Sequence, residues 1–245
     1  MSSLSTNLST PAIALAIGAH PDDVEFQAGA TLAKWAANGC IVHHMILTDG
    51  SKGTWNVDED IPALVATRQA EQRSAAHALG TTGEVVMLGE VDGELQSGQA
   101  QLERVAYWIR KLRPTVVLGH DPWQRYRLHP DHRHAGWLTV DGVVAARDPF
   151  FFPHQDVPHH RPDVIALFEA DQPDHVEDVT GFEAAKLAAL LEHRSQFETT
   201  MAIEGDEHAG EQIQAFRDRI FDDMRRHGES EGFEFAESFK LLNDV

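Results

Sequence analysis

Two short segments combine histidine and aspartate at a spacing that suits metal chemistry. The first is His20-Pro21-Asp22-Asp23 and the second is His129-Pro130-Asp131-His132. Residues three apart across a turn can converge, and imidazole nitrogens and carboxylate oxygens are ordinary zinc ligands. Each segment alone also has a simpler interpretation, because acidic residues complement a helix N-terminus and a lone HxxH suits a polar surface loop. The two segments together favour a metal site.

Two histidines and one aspartate would leave a coordination position open, which is typical of catalytic rather than structural zinc. Zinc lowers the pKa of bound water from ~15.7 toward ~7. A nearby carboxylate can then accept a proton, and a neighbouring imidazolium can stabilise an oxyanion formed on a carbonyl. The 15 histidines of the chain make such chemistry worth considering.

Short apolar runs alternate with amphipathic stretches along the chain. This cadence predicts βαβ units, hence one α/β domain with a mostly parallel, Rossmann-like sheet and helices on both faces. The predicted strands are residues 11–19, 40–47, 84–88, 114–118, 164–170 and 176–179, and the predicted helices are 22–38, 62–79, 102–112, 134–147, 182–197 and 203–226.

The two motifs each follow a predicted strand. The first comes directly after the strand at 11–19, and the second lies in the polar segment 120–133 after the strand at 114–118. Ligands of open α/β sheets bind beyond the carboxyl ends of the strands. We therefore expect both motifs to form one active site at that edge of the sheet.

Composition limits the other functions. The net charge of −19 argues against general affinity for nucleic acids or anionic membranes, which are polyanions. A single cysteine, Cys40, excludes an intramolecular disulfide framework, and no apolar run is long enough to predict a membrane span. Residues 1–10 are expected to be a disordered leader and 11–245 a single domain, with the cytoplasm as the default location.

AHPDDVE at residues 19–25, together with HPDH at 129–132, resembles the LmbE/PIG-L family of zinc-dependent N-deacetylases. That family includes enzymes that deacetylate N-acetylglucosaminyl groups in glycolipid anchors and in low-molecular-weight thiols. The resemblance runs from about Ile13 to Phe239. Its further, supportive matches are Thr48-Asp49-Gly50, Arg68-x-x-Glu71, Asp92-Gly93, Lys186, His193, Ser195-Gln196 and Ala236-Glu237-Ser238-Phe239.

The resemblance implies a role for each residue of the two motifs. His20, Asp23 and His132 would hold zinc, although Fe²⁺ or Co²⁺ also suits such ligands. Asp22 would be the general base that activates water and later protonates the amine. His129 would donate to the oxyanion, with Asp131 orienting it or holding it cationic.

The expected substrate contacts are less specific. Arg68 and Asp92 match positions that contact the sugar in some family members, yet they also suit a solvated helix charge and a turn. Trp55 and Trp123 lie in loops near the predicted site and could stack on a sugar ring. Arg147 could bind a substrate anion. Many relatives have TxGE after the second strand, whereas this chain has Thr-Asp-Gly-Ser at 48–51, which leaves the substrate open.

The leading expectation is a zinc-dependent hydrolase that removes an N-acyl group, most simply acetyl, from an amino sugar or glucosaminyl conjugate. One alternative keeps the metal site but cleaves an amide of a thiol conjugate or an antibiotic precursor. Another is a metal- or sugar-binding protein without catalysis. The expected partner is a small N-acylated molecule, and a homo-oligomer remains open.

Overall fold

A computed structural model describes residues 4–205 and 209–245, and this part of the chain forms one α/β domain. The strands are β1 (Ser5–Thr6), β2 (Ile13–Gly18), β3 (Ile41–Thr48), β4 (Val85–Glu90), β5 (Val116–His120), β6 (Val164–Phe168), β7 (His175–Asp178) and β8 (Ala236–Asn243). The helices are α1 (Asp23–Ala37), α2 (Ile61–Ala78), α3 (Gln99–Leu112), α4 (Pro130–Arg147), α5 (Glu183–Leu190) and α6 (Ala209–Gly228).

The eight strands form a sheet in the order β1-β7-β8-β6-β5-β2-β3-β4. All neighbouring pairs are parallel except the two that β8 makes with β6 and β7. The predicted mostly parallel sheet is therefore confirmed. The antiparallel strand β8 was not predicted.

The predicted disordered leader is wrong for the part that the structure describes. Ser5 and Thr6 pair with His175 and Val176 of β7 and so extend the sheet at its edge. The backbone pairing of so short a strand leaves no apolar pattern in the sequence. Residues 1–3 lie outside the described residues.

The central strand β2 explains why its sequence is apolar without alternation. Leu15 and Ile17 pack on one side of the sheet in a core shared with α3 and α4. Ala14 and Ala16 face the opposite side, in a core shared with α1, α2 and α5. A strand covered by helices on both faces must be apolar at every position.

Two helix boundaries differ from the prediction in ways that matter for the site. Helix α4 begins at Pro130 rather than at residue 134, because proline at the first helical position has a preset φ and needs no hydrogen-bond acceptor. Helix α5 ends at Leu190, and a 3₁₀ turn (Arg194–Gln196) and a π-helical turn (Phe197–Met201) follow it. No helix among the described residues is long and apolar enough to cross a membrane.

Candidate metal centre and active site

The two motifs lie at the same edge of the sheet, as expected. Residues 19–22 connect the end of β2 to the start of α1, and His129 directly precedes α4. Because β2 and β5 are parallel neighbours, their carboxyl ends bring both segments together. The second motif enters the site on the first turn of α4, which Pro130 initiates.

Three side chains from these segments converge on one point. His20 Nδ1 lies 3.3 Å from Asp23 Oδ2, and His132 Nε2 lies 3.2 Å from Asp23 Oδ1. The two imidazole nitrogens, His132 Nε2 and His20 Nδ1, are 3.2 Å apart. Donors of a tetrahedral zinc ion with bonds of ~2.0–2.1 Å lie about 3.3 Å apart. His20 and His132 therefore lie at the separation of two zinc ligands, and Asp23 contacts each of them with a different carboxylate oxygen.

The outer nitrogen of His20 faces two carboxylates. His20 Nε2 is 3.2 Å from Asp131 Oδ2 and 3.2 Å from Asp92 Oδ1. Burial lowers the pKa of His20, but its hydrogen bonds to Asp131, Asp23 and Asp92 raise it well above the ordinary value. Such outer-shell carboxylates fix the tautomer and the ring orientation of a ligating histidine.

This arrangement corrects the predicted role of Asp131. Its fully buried carboxylate accepts hydrogen bonds from the backbone N–H groups of Gly93 (2.6 Å) and Leu95 (3.2 Å) and faces His20. It makes no hydrogen bond to His129. The loop that carries Gly93 and Leu95 therefore engages the Asp131 carboxylate in place of His129.

Two residues that the sequence reasoning missed support the other ligands. Glu169, which directly follows β6, places Oε2 3.0 Å from His120 Nδ1 and 3.7 Å from His132 Nδ1. His120 Nε2 in turn lies 3.3 Å from Asp23 Oδ2. Arg127 pairs with Glu169 and contacts His132. His120 ends β5 and Glu169 directly follows β6, at the same edge of the sheet. This position is the feature of the sequence that could have predicted their place at the centre.

The carboxylates around this centre favour positive charge within it. Burial lowers the pKa of His132, but Asp23 and Glu169 raise it to about 9. Burial also raises the pKa of Glu169, yet its hydrogen bond with His120 and the nearby His132 imidazole hold that pKa well below the usual range. Protons on the imidazoles or a divalent cation bound by them would supply the positive charge.

Asp22 combines burial with a strained backbone. Its φ of 101° and ψ of −27° are rare for a residue with a side chain, and such strain costs ~1–3 kcal/mol and persists where the surroundings enforce it. Burial raises the pKa of Asp22 to about 6, and the Arg68 guanidinium, 3.6 Å from its carboxylate, opposes that shift. A carboxylate with such a pKa suits proton transfer near neutral pH.

His129 is exposed and stands beside His20 and His132. Its ring centre lies 4.6 Å from that of His20 and 5.0 Å from that of His132. Burial, together with the charges of these two histidines, lowers its pKa. His129 therefore stands at the mouth of the site, and the expectation that Asp131 holds it cationic stays a prediction.

A cavity of about 370 Å³ opens over the centre and contains both motifs. Of the predicted substrate contacts, Arg68, Asp92 and Trp55 line it. Arg68 is 3% exposed and donates to the backbone oxygens of Gly50 (2.9 Å) and Pro21 (2.7 Å). It therefore links the segments that contain Gly50 and Pro21, beside Asp22.

The other two predicted contacts lie elsewhere. Trp123 lines a separate cavity and packs edge-to-face on Trp137, with ring centres 5.2 Å apart. Arg147 ends α4, which begins at Pro130 beside the site, and 18 residues place the two ends about 25 Å apart. Neither residue lines this cavity. Trp123 lies at the same edge of the sheet but faces another cavity, and Arg147 lies at the far end of α4.

Further lining residues come from segments that the sequence left without a role at the site. Lys52 stands at the cavity wall, and Gln196, Thr199 and Thr200 reach it from the turns after α5. Gln196 Nε2 donates to the Gly53 oxygen at 3.0 Å, which ties these turns to the loop after β3. π-Helical turns of this kind are frequent at functional sites.

The departure from TxGE also has a structural consequence. Asp49 Oδ1 accepts hydrogen bonds from the backbone N–H groups of Ser51 (2.9 Å) and Asp92 (3.1 Å). Asp49 therefore braces the segment that carries Asp92, and Asp92 is the carboxylate that faces the cavity at this position.

Among the described residues, three overlapping groups could hold a metal ion, and all three fall at this centre. They are His20–His129–His132, Asp23–His120–His132 and His20–Asp92–Asp131. Fold and site together define an α/β protein with a candidate metal centre at the carboxyl edge of its sheet.

The chain belongs to the PIG-L (LmbE-like) family. Residues 15–143 match the family model described as GlcNAc-PI de-N-acetylase. A diacetylchitobiose deacetylase of Thermococcus kodakarensis is 33% identical over 186 residues, which are 75% of this chain and 69% of that protein. The structure of the N,N'-diacetylchitobiose deacetylase from Pyrococcus horikoshii superposes with a TM-score of 0.84 at 28% identity, covering 95% of this chain and 84% of that chain.

The family is not uniform in its reactions. A 4-oxalmesaconate hydratase of Pseudomonas putida is 28% identical over 216 residues, which are 81% of each chain. Deacetylase relatives support enzyme activity for this chain, and the reaction has to be argued from its own residues.

Proposed function

We propose that the protein is a zinc-dependent hydrolase that removes an N-acetyl group from an amino sugar or a glucosaminyl conjugate. The observation that carries the proposal is the approach of His20, Asp23 and His132 to 3.2–3.3 Å of one another, with a different Asp23 oxygen facing each imidazole, in one cavity with Asp22. The similarity to diacetylchitobiose deacetylases supports the reaction class.

His20, Asp23 and His132 would hold the metal. Two imidazoles and one carboxylate leave room for a further ligand, which is the donor set of catalytic rather than structural zinc. When bound, zinc acidifies water and polarises a carbonyl oxygen. The surrounding carboxylates of Asp92, Asp131 and Glu169 keep the ligand set compatible with a divalent cation.

Asp22 moves the proton. It takes a proton from the water that attacks the amide carbonyl, and it gives that proton to the nitrogen as the C–N bond breaks. Burial raises its pKa to about 6, which suits a group that must act first as a base and then as an acid. The bond to carbon that forms comes from water, the bond that breaks is the amide C–N bond, and the products are a free amine and acetate.

His129 stabilises the oxygen of the attacked carbonyl. The ring of His129 carries an N–H group that can donate a hydrogen bond to this oxygen.

The cavity favours a neutral sugar over a dianion. Its two described cationic side chains are Lys52 and Arg68, and Arg68 is occupied by the Asp22 carboxylate and two backbone oxygens. A substrate with several carboxylates would meet the carboxylates of Asp22 and Asp92, and Lys52 already pairs with Glu94 and donates to the backbone oxygen of Asp92. Trp55, 72% exposed at the cavity wall, offers an aromatic face for a sugar ring.

The test measures acetate and free amine from N-acetylglucosamine and N,N'-diacetylchitobiose, using metal-stripped protein with and without zinc. We expect zinc-dependent release in equal amounts. Asp22→Asn should lose at least about 100-fold in kcat while it binds zinc as tightly as the wild type. Asp58→Asn, an exposed aspartate of the loop before α2, is the matched control.

Other outcomes separate the alternatives. Release of a larger acid from a thiol conjugate or an antibiotic precursor, without acetate release from sugars, would move the substrate to another amide. Zinc binding without hydrolysis of any N-acyl compound would favour a binding protein. Full turnover by Asp22→Asn would contradict the assigned base.

A further inference from the structure

A cluster of buried polar side chains lies beneath the start of α1, and the proposed reaction does not use it. It consists of Glu25, His44, Gln72 and His193, and each is fully buried. Glu25 Oε1 accepts a hydrogen bond from Gln72 Nε2 at 2.7 Å. His44 Nδ1 lies 3.4 Å from Glu25 Oε1, and His193 Nε2 lies 3.5 Å from Glu25 Oε2. We call these four residues the inner cluster.

Gln72 connects the inner cluster to the backbone of Asp22. Its Oε1 accepts a hydrogen bond from the Asp22 N–H at 3.1 Å, across 50 residues of sequence. That N–H belongs to the residue with φ of 101°, whose strained conformation must be enforced by its neighbours. Arg68 contributes a second restraint because it donates to the oxygen of Pro21 at 2.7 Å.

Glu25 decides which way the amide of Gln72 points. An ionised carboxylate only accepts hydrogen bonds, so the NH₂ group of Gln72 must face Glu25. The carbonyl oxygen is then left to face the Asp22 N–H, which is a donor. A reversed amide would place oxygen against carboxylate and NH₂ against N–H, and would lose both hydrogen bonds.

We propose that Gln72 is a positioning residue for the reaction, which fixes the left-handed backbone of Asp22 through its N–H and so directs the Asp22 carboxylate into the cavity. Gln72 is fully buried and acts through Asp22 rather than on the substrate. The inference rests on the proposed function of Asp22 as the base. Small displacements of a reacting group are costly, and ~1 Å can reduce turnover by ~100-fold.

Gln72→Met tests the proposal because methionine has a similar length and volume but makes neither hydrogen bond. We expect kcat to fall by about 10- to 100-fold, with KM and zinc affinity within about twofold of the wild type. A merely structural role would lower the melting temperature without separating kcat from KM. Gln69→Met, on the same helix and without a side-chain hydrogen bond to the site, is the matched control and should be unchanged.

An exchanged pair provides a rescue. Gln72→Glu alone places two carboxylates against each other and should be as impaired as Gln72→Met. The double variant Glu25→Gln with Gln72→Glu restores an NH₂ donor on one side and an acceptor for the Asp22 N–H on the other. It should recover at least about tenfold in kcat over Gln72→Glu, and no recovery would contradict the proposed hydrogen-bond chain.

Hydrogen exchange at the Asp22 amide separates failure of this inference from failure of the proposed function. In the zinc-loaded wild type the amide should be protected, and in Gln72→Met it should exchange at least about tenfold faster, whether or not a substrate is known. Equal exchange would overturn the positioning role. The positioning role would also be overturned if Asp22→Asn abolished turnover while Gln72→Met turned over as fast as Gln69→Met. Absence of any turnover in the wild type would contradict only the proposed function.

Discussion

Replacement of Glu169 by glutamine should weaken zinc binding without removing a ligand. Oε2 of Glu169 lies 3.0 Å from His120 Nδ1, and His120 Nε2 lies 3.3 Å from Oδ2 of the proposed ligand Asp23. The same carboxylate oxygen is 3.7 Å from Nδ1 of the proposed ligand His132. Glu169 therefore restrains Asp23 through His120 and favours the orientation of His132 directly.

The expected magnitude follows from what Glu169→Gln retains. Loss of an outer-shell partner costs ~10–100-fold in metal affinity. Glutamine keeps a neutral acceptor for His120, and a charge-assisted hydrogen bond is roughly twice as strong as a neutral one. The 3.7 Å separation from His132 is longer than a hydrogen bond, so that contact contributes less. We expect a loss of about 10- to 30-fold, which corresponds to ~1.4–2 kcal/mol.

The assay is competition between metal-stripped protein and a chromophoric chelator for zinc at constant pH. Asp171→Asn is the matched control, because Asp171 lies two residues further along the chain and pairs with the exposed Arg125. Such surface pairs contribute little. Affinity of Glu169→Gln within twofold of the Asp171→Asn value, with an unchanged melting temperature, would refute the assignment of Glu169 to the metal centre.

Three further changes test other parts of the structure. Gly53→Ala would force a methyl group into the Arg68 guanidinium, so we expect a loss of ~1–3 kcal/mol in the free energy of unfolding, measured by urea denaturation. Burial raises the pKa of Glu177, but its hydrogen bond with His175 and the charge of Lys34 lower that pKa on balance. The ionised Glu177 therefore stabilises the fold at neutral pH, and this contribution disappears as pH falls through the lowered pKa. Glu177→Gln should therefore cost ~2 kcal/mol at pH 7 and less below about pH 4, and equal costs at both pH values would contradict this. Trp55→Ala should raise KM for the sugar by up to about tenfold with kcat nearly constant, whereas Trp123→Ala should leave KM unchanged.

Much of the fold follows from local patterns. The apolar run before His20 predicts a buried strand because helices cover both faces of β2. The strand β8 was missed because its partners β6 and β7 lie about 70 residues away in sequence and its own pattern is mixed. The apolar spacing predicted that α4 starts at residue 134, whereas the helix begins at Pro130, which occupies the first helical turn.

The central features of the candidate site also follow from the sequence. Residue types and spacing single out His20, Asp23 and one histidine of the second motif, which the family resemblance identifies as His132. The rule that parallel strands share a carboxyl edge places these residues together. That rule uses only the order of strands and helices. It is insensitive to the details of packing, and for this reason it works from one sequence.

The partners of these side chains depend on tertiary structure. Asp131 faces His20 rather than His129, Glu169 reaches the centre from the end of β6, and Gln72 reaches Asp22 from α2. Each contact joins residues that are 49 to 111 positions apart in sequence.

The sequence by itself determined which residue types could bind a metal, which strands carry them, and which edge of the sheet they occupy. Only the tertiary structure decided which carboxylate supports which imidazole, that Trp55 rather than Trp123 reaches the cavity, and that Arg147 does not. The apolar pattern of a segment indicates which of its faces is buried, because each helix or strand has a regular geometry of its own. The hydrogen bonds of the site join residues of different elements, so they depend on how the whole domain packs.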